Sequence, residues 1–449
     1  MKSVLILLTL ILAATPGSHA QNTHTLTLEQ IRSMALANSR SLAKYNMSID
    51  NSLRDEREHL YSMLPVISAN YNASMNYLDR DWGFVNPINT FSTGVNLEVT
   101  QKIFEGGKSF IRKSLNTIAT ESVRNDALAE YFSVLDSADN AYYTVLESAA
   151  SLESEESSLQ SAMASLAIAE IRQASGMINH GDFLKAMADK ESRENSRNQA
   201  RRNLALNMTR LRAIAGFEGP FDLQQIDFGA YEELMQFLAG ISDEQADVLY
   251  NKLWKVLAAS NPSLVRSAMN NQRAEKNLSL ARRDFAPTVS ATVFSTSIGY
   301  STANGFGTTS GGGISIRGSI PIDYWVIHNR IEKSKNARDS AALDHISAEV
   351  SLETELQSAL LNIFAQAGSV LSSRRSLDYT EKHHEFVMER YRLLQSSVSD
   401  LGEASTMLIN SRNSHIKARY GFLQSLSRIR SLGAIDDEEK LIALLINGQ

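Results

Sequence analysis

The chain has 449 residues, of which 43% are hydrophobic and 21% charged, and it contains no cysteine. The 44 Lys and Arg residues against 50 Asp and Glu residues give a net charge of -6 at pH 7, so we expect no nucleic-acid partner. Without cysteine there can be no disulfide framework, thiolate metal site, cysteine nucleophile or acylated N-terminal cysteine. Any membrane attachment must therefore come from the folded chain itself.

Residues 1–20 have the pattern of a secretory signal peptide. Lys2 lies in a short basic head, an apolar run extends from Val4 to Ala14, and we expect cleavage between Ala20 and Gln21. The apolar run is about half of the roughly 20 residues that a membrane-spanning helix needs. We therefore expect an exported protein without a transmembrane helix.

An internal repeat organises the rest of the chain. When Ser41 is aligned with Ser263, the same spacing places Pro65 over Pro287. In both copies an amphipathic segment of roughly 20 residues precedes the proline. We expect a first structural repeat over residues 21–243 and a second over residues 244–449.

After each proline the hydrophobic pattern changes to the period of a strand. From Ile67 to Tyr77 the odd positions are apolar or small and the even positions are Ser or Asn, which indicates a strand with two different faces. The second copy repeats the alternation with a phase change near Phe294, which a β-bulge would explain. We expect β-hairpins near residues 66–104 and 288–322, with loops at residues 79–90 and 301–313.

Each hairpin is followed by an unusually long helical segment. Residues 108–175 contain neither glycine nor proline, and residues 326–393 contain only Gly368. Helices of that length would extend about 100 Å. Turns near residues 176–182 and 394–400, which occupy matching places in the two copies, lead into long return helices that end at Gly216 and Gly433. Segments 217–243 and 434–449 interrupt this pattern and predict a mixed collar around the helices.

The four predicted strands imply an oligomer. Strands of roughly 10 residues cross a bilayer when they are tilted. A sheet can lie in lipid only if it is closed, and four strands are too few to enclose a lumen, so several chains must pool theirs. The predicted fold class is mainly α with a membrane β-barrel, in which apolar positions face lipid and Ser and Asn positions face water.

These motifs resemble the TolC family of outer-membrane efflux proteins. The resemblance is carried by LTLEQIRSMALANSRSL, the proline before each hairpin, the exits QKIFEGGK and IPIDYW, and the return segments ASGMINHGDFLKA and ERYRLLQSSVSDLGEA. It implies a homotrimer in which twelve strands form one outer-membrane barrel, continuous with a periplasmic tunnel of helices. It also implies a periplasmic adaptor protein and an inner-membrane pump of the RND, ABC or MFS class as partners.

The expected function is the passive exit duct of a tripartite efflux pump. We expect contact with outer-membrane lipid, no lipid anchor, no enzymatic activity and no cofactor. Two alternatives stay open. The same duct could serve type I protein secretion, which the channel sequence hardly separates from efflux, or the chain could be a periplasmic helical scaffold whose strands form a soluble sandwich.

The resemblance also implies residues of a periplasmic aperture. It places an acidic constriction ring at Asp400 and Glu403, a gating tyrosine at Tyr391 and its aspartate partner at Asp182. Asp400 and Glu403 share one helical face, and six such carboxylates around a threefold axis would raise one another's pKa. Ser396 stands where the best-studied member of the family has a gating arginine.

Two further departures from the family pattern concern the turns. Leu394 replaces the usual turn glycine, and Lys185 occupies the first-copy position that matches Glu403. Simpler interpretations stay open for the aperture residues. The acidic pair could be a solvated helix start favoured by the helix dipole, Tyr391 could pack between helices, and Asp182 could be an N-cap.

A metal site is not expected at the paired histidines. His383 and His384 are adjacent, and adjacent residues on a helix point about 100° apart. Such a pair chelates poorly, so we interpret it as solvated.

Overall fold

The computed structural model describes residues 24–78, 88–295, 298–301, 305–308 and 311–446, so the predicted signal peptide lies outside the described residues. The helices are α1 (Leu28–Asn38), α2 (Arg40–Tyr61), α3 (Lys108–Ala174), α4 (His180–Ala215), α5 (Glu232–Ala239), α6 (Asp243–Ser260), α7 (Pro262–Arg282), α8 (Tyr324–Arg392), α9 (Val398–Leu432) and α10 (Glu438–Ile446). The strands are β1 (His24–Leu26), β2 (Val66–Leu78), β3 (Ile88–Glu105), β4 (Phe221–Leu223), β5 (Thr288–Ser295), β6 (Ile298–Ser301), β7 (Gly305–Thr308) and β8 (Gly312–Ser319).

The two long helices predicted from the scarcity of glycine and proline are confirmed. Helix α3 has 67 residues and α8 has 69. Gly107 begins α3 in the left-handed conformation, with φ of 74°. The preceding Gly106 allows a close approach, because Arg283 Nη1 donates a hydrogen bond to its carbonyl at 2.7 Å and a Cβ would lie 2.3 Å from that of Ala286.

Two antiparallel helical hairpins, α3–α4 and α8–α9, form the body of the protomer. The main core lies where α3, α8 and α9 pass the short elements, and includes Tyr142, Leu356 and Phe422. A buried ion-pair group fixes this region. Asp139 is fully buried and accepts hydrogen bonds from Arg32 and Arg430, each at 2.6 Å, so α1, α3 and α9 are held together.

Strands β2, β3 and β5 to β8 form one antiparallel sheet. Its central strand β3 pairs with β2 on one side, and with β5 and then β6 along the other. Strand β8 pairs with β5, and β7 pairs with β6. The second hairpin therefore consists of β5 with β6 on one limb and β7 with β8 on the other.

The bounds of both predicted loops were wrong. The loop at residues 301–313 is interrupted by β7 and ends within β8, and the loop at residues 79–90 ends within β3, which begins at Ile88. The phase change near Phe294 is confirmed as a register shift, because Glu98 pairs with Phe294 whereas Val95 pairs with Ile298. A second bulge, which the sequence did not indicate, lies between Lys102 and Phe104. The ring of Phe294 covers Gly313 on the paired strand β8, where an added Cβ would lie 2.8 Å from the ring.

The two faces of the sheet differ as the alternation predicted. Apolar side chains are exposed on one face: Ile67, Tyr71, Met75, Val293, Ile314 and Ile316. Polar side chains line a hollow on the other: Asn70, Asn96, Thr100, Ser290, Thr292 and Arg317.

Short elements outside the long hairpins and the six-stranded sheet lie beside the main core. Strand β1 pairs in parallel with β4, and α5, α6 and α10 contribute buried leucines to the same core. Among the described helices, none combines the length and the apolar character needed to cross a membrane.

Candidate functional site at the helical hairpin tips

Each long hairpin reverses through the same kind of turn. Gly176 after α3 has φ of 70°, and Leu394 after α8 has φ of 64°. In both turns the next amide donates back to the fifth preceding carbonyl, Met177 to Arg172 and Gln395 to Arg390, each at 2.8 Å. This pattern is the glycine-type helix ending in which one residue adopts the left-handed conformation. Leu394 therefore takes a backbone conformation that normally favours glycine.

The two return helices begin with matching caps. Asn179 accepts a hydrogen bond from the Asp182 amide at 2.8 Å, and Ser397 accepts one from the Asp400 amide at 3.1 Å. Asp182 and Asp400 are thus the third residues of their helices, and the N-cap is Asn179 in the first hairpin. The Asp400 carboxylate also accepts a hydrogen bond from the Ser397 amide at 2.9 Å, which completes a capping box.

This cap favours the ionised form of Asp400 within one protomer. The hydrogen bond from the Ser397 backbone amide holds the pKa of Asp400 below its ordinary value, and the Ser397 hydroxyl acts in the same direction. The sequence predicted a raised pKa from repulsion around a ring. That repulsion requires neighbouring protomers, whereas the cap acts inside each chain.

One helical turn beyond the caps, the two tips differ. Glu403 is exposed and makes no hydrogen bond or ion pair with any described residue. Its counterpart Lys185 lies 3.7 Å from Asp182 and donates a hydrogen bond to Ser399 Oγ at 3.3 Å. The first tip therefore pairs its acidic residue with a lysine, whereas Asp400 and Glu403 of the second tip make no ion pair with a described residue, and the charge of Arg390 acts on Asp400 without such a pair.

Tyr391 is completely buried between the two hairpins. The guanidinium carbon of Arg172 lies 4.0 Å from the centroid of its ring, and Arg172 is itself only 5% exposed. This is a desolvated cation–π contact that joins α3 to α8. Burial raises the pKa of Tyr391, and the nearby charge of Arg172 opposes that rise.

The Tyr391 hydroxyl has no hydrogen-bond partner of normal geometry among the described residues. The Asp182 carboxylate accepts instead from Asn179 Nδ2 at 3.0 Å. Within one chain, the tyrosine and the aspartate of the predicted pair are thus not bonded to each other. Arg172 is the residue that the sequence analysis did not find.

Around Tyr391 lies a small core that is separate from the main one. Besides Tyr391 it contains Ala169, Ala186, Val387, Val398, Leu401 and Ala404. Several of these side chains are small, so each contact stabilises the tip only modestly. Two buried polar groups in the same region have no hydrogen-bond partner among the described residues, Arg172 Nη2 and Ser396 Oγ. Unpaired groups of this kind weaken a closed arrangement.

Further polar contacts connect the two hairpins above the tips. Arg193 donates to Thr406 Oγ1 at 2.8 Å, and Arg412 donates to Ser157 Oγ at 3.1 Å. The hairpins of one protomer are therefore joined along their lower halves, and the Arg172–Tyr391 contact is the most buried of these connections.

The paired histidines do not form a metal cluster. His384 Nε2 lies 3.2 Å from Ser405 Oγ, and burial lowers the pKa of His384. Within the described ranges, no group of three or more potential ligands is arranged to hold a metal ion.

The sequence model of the outer membrane efflux protein family matches residues 31–217 and 253–433, which is more than half of the chain and one stretch in each repeat. The chain belongs to the outer membrane efflux protein family. Members of this family are outer-membrane channels and not enzymes, so the chain is an efflux channel of the outer membrane.

Solved structures share this efflux-protein fold. A membrane protein from Pseudomonas aeruginosa is 15% identical with a TM-score of 0.76, covering 92% of this chain and 91% of that one. The Campylobacter jejuni CmeC outer membrane channel is 17% identical with a TM-score of 0.73, covering 94% and 89%. The outer membrane protein VceC from Vibrio cholerae is 16% identical with a TM-score of 0.72, covering 90% and 96%. No curated protein sequence matches the chain.

In this efflux protein, one feature of the sequence could have identified Arg172 as a candidate tip residue. The alignment of the two turns places Arg172 over Arg390, so both copies carry an arginine just before the turn. Only the fold shows that they differ. Arg390 is exposed and donates to the Gln395 carbonyl of its own turn at 3.0 Å, whereas Arg172 is buried against Tyr391.

Proposed function

We propose that the chain forms the passive homotrimeric exit duct of a tripartite efflux pump. The observation that supports it best is the two-faced sheet with a strand at each side that pairs on one edge only. In hydrocarbon such edges must be paired, so the sheet needs further copies to close. Three protomers would supply twelve strand paths and six helical hairpins around one lumen.

The hairpin tips are proposed as the periplasmic aperture of this duct. Asp400 and Glu403 of the second tip make no ion pair with a described residue, and three copies would bring six carboxylates around the axis. Such a ring attracts cations and disfavours anions. The Arg172–Tyr391 contact is proposed as the closed-state latch, in the place of the arginine that Ser396 replaces.

The direction of transport and the energy source come from partners. We propose a periplasmic adaptor that contacts the hairpin tips and an inner-membrane pump that supplies the substrate. The signal peptide directs export, and anchoring relies on the barrel because the chain has no cysteine to acylate.

Single-channel conductance of the purified protein in planar bilayers tests the proposal. We expect a small cation-selective conductance that divalent cations block from the periplasmic side, and release of that block in Asp400→Ala/Glu403→Ala. The matched control is Asp182→Ala, which changes an aspartate at the same helical position of the first tip. A protein that is monomeric without detergent and never inserts would contradict the proposal.

A further inference from the structure

The two outer strands of the sheet each have an unused edge. Among the described strands, β2 pairs only with β3 and β8 pairs only with β5. The proposed trimer requires these edges to meet between subunits, but it does not state which residues stand opposite one another. The internal repeat provides that information.

The two hairpins have the same internal register. In the first, Ser68 pairs with Glu98, and in the second, Ser290 pairs with Arg317. Ser290 is therefore the equivalent of Ser68 in the first strands, and Arg317 is the equivalent of Glu98 in the second strands. The same alignments make Thr292 the equivalent of Asn70 and Ser315 the equivalent of Asn96. Both pairs, Asn70–Asn96 and Thr292–Ser315, are observed. Over β5 and β8, the second hairpin is therefore structurally equivalent to the corresponding part of the first.

The contact between the two hairpins is visible inside the protomer. Strand β3 pairs with β5 so that Thr100 lies opposite Thr292, and their hydroxyl oxygens are 3.1 Å apart. In a closed ring of equivalent hairpins, every junction has the same form. The junction from the second hairpin to the next subunit should repeat the one from the first hairpin to the second.

Resting on the proposed trimer, we propose that β8 pairs antiparallel with β2 of the next subunit in one defined register. Applying the alignments of the repeat places Arg317 opposite Asn72 of the partner subunit, Gly318 opposite the partner's Tyr71, and Ser319 opposite the partner's Asn70. These three pairs are the equivalents of Glu98–Phe294, Val99–Val293 and Thr100–Thr292.

The faces of the sheet support this register. Arg317, its expected partner Asn72, and Asn70, the expected partner of Ser319, all line the polar hollow, whereas the Tyr71 side chain is exposed and alternates with them along β2. Residues that stand opposite in a sheet project from the same face. A slip by one residue would place Arg317 opposite the partner's Tyr71 and set an apolar face against a polar one.

The pairing of Gly318 with a tyrosine also has a precedent in this chain. Nothing lies within 4 Å of the position that a Cβ of Gly318 would take, so the space beside it is open. Within the protomer, Phe294 already covers Gly313 on the paired strand. An aromatic ring over a cross-strand glycine is a recognised stabilising pair.

The helices continue the same junction below the barrel. Arg266 on α7 donates to Asp126 on α3 at 2.7 Å, between the two repeats. In the repeat, Lys44 on α2 is the equivalent of Arg266, and Asp344 on α8 is the equivalent of Asp126, so the two equivalents also have opposite charges. Both are exposed, and neither side chain has an ion-pair partner among the described residues. We therefore place Asp344 beside Lys44 of the partner subunit.

The register has a consequence for the barrel lumen. Glu98 and Arg317 are equivalent positions, both on the polar face. Three protomers then place these side chains at one level, with negative and positive groups alternating around the wall.

Disulfide formation tests the register, since the chain has no cysteine of its own. Purified Asn70→Cys/Ser319→Cys protein should yield covalent dimers and trimers on oxidation, which a reductant reverses. The matched control is Thr100→Cys/Thr292→Cys, the equivalent pair within one protomer, which should form an internal bond without covalent oligomers. The register control is Asn72→Cys/Ser319→Cys, whose diagonal separation of about 7–8 Å should slow cross-linking at least about tenfold.

The outcomes separate this inference from the proposed function. The register is overturned if Asn72→Cys/Ser319→Cys cross-links faster than Asn70→Cys/Ser319→Cys. It is also overturned if neither of these two variants cross-links while native mass measurement finds a trimer. Both results leave the proposed trimer intact. A monomer by native mass measurement contradicts the proposed function itself.

A second experiment tests the proposed ion pair between Asp344 and Lys44 of the partner subunit without any cysteine. Lys44→Glu should weaken the trimer, and Lys44→Glu/Asp344→Lys should restore it, whereas an unrestored double variant overturns the ion pair.

Discussion

The two hairpin tips share a backbone construction and differ in what they present. Asn179 and Ser397 cap equivalent helices, and the turns before them have the same hydrogen bonds. One turn into each helix, the first tip carries Lys185 and the second carries Glu403. The repeat thus preserves the positions of caps and turns, while the exchange of Lys185 for Glu403 separates a tip whose aspartate has an ion pair from one whose two carboxylates have none among the described residues.

The same comparison applies to backbone strain. The first repeat places Gly176 and Gly216 at its left-handed helix endings, with φ of 70° and 68°. At the corresponding positions, the second repeat has Leu394 and Ala434, with φ of 64° and 48°. The second repeat therefore has residues with a Cβ at two positions whose left-handed backbone conformation favours glycine.

The largest expected effect comes from Arg172→Met, which removes the cation–π contact with Tyr391. A desolvated contact of this type contributes about 2 kcal/mol, which corresponds to roughly thirtyfold in the ratio of open to closed tips for each protomer. We expect a strongly raised conductance in planar bilayers. The matched control is Arg390→Met, at the equivalent and exposed position of the second hairpin. An equal rise in conductance in that variant would show that the Arg172–Tyr391 contact is not the latch.

Making the two tips alike should have the next largest effect. Glu403→Lys gives the second tip the charge pattern of the first, so the proposed ring loses its excess of negative charge. We expect divalent block of the channel to weaken by about tenfold. Lys185→Glu is the reverse exchange and should strengthen the block. Unchanged block in both variants would place the selectivity elsewhere in the duct.

Exchanging the turn residues tests the strain. Leu394→Gly should stabilise the second hairpin by about 0.5–1 kcal/mol, because relief of the left-handed conformation outweighs the added chain entropy. For a chain of this length that corresponds to a rise in melting temperature of roughly 1 °C, measured by circular dichroism. The control is Gly176→Ala, whose added Cβ would contact no other atom. A lower stability of that variant would therefore come from the left-handed backbone conformation and not from a steric clash.

The smallest effect concerns the cap of the second tip. The pKa of Asp400 is lowered in the folded protein, so its contribution to stability is present above the ordinary aspartate pKa of 3.8 and disappears as pH falls through the lower folded value. The stability difference between the protein and Asp400→Asn should therefore vanish in strong acid. A difference that persists unchanged at pH 2 would mean that the carboxylate charge is not the source.

The extent of sequence prediction follows from the physical origin of each feature. The ends of α3 and α8 were predictable because glycine and proline are scarce between them, and the strand faces because Ile67 and its neighbours alternate. Strands β6 and β7 were missed because their glycine-rich sequence lacks strand propensity, and pairing with neighbouring strands overrides it. The bulge near Lys102 left no trace in the alternation.

The tip shows the same division. The caps at Asn179 and Ser397 are local, so spacing from the turn was enough to find the residues around them. Arg172 was not found because its contact with Tyr391 joins segments that lie in different repeats, far apart in the chain. Whether an arginine is exposed or stacked on an aromatic ring depends on which hairpin packs beside it.

The unpaired edges of β2 and β8 impose an order of events on biogenesis. A single chain that reaches the membrane would expose amide and carbonyl groups to hydrocarbon at both edges, and in water the same edges invite association with other strands. For the proposed trimer, insertion and assembly would therefore be coupled, and the yield of channels should rise more steeply than in proportion to the concentration of exported chains.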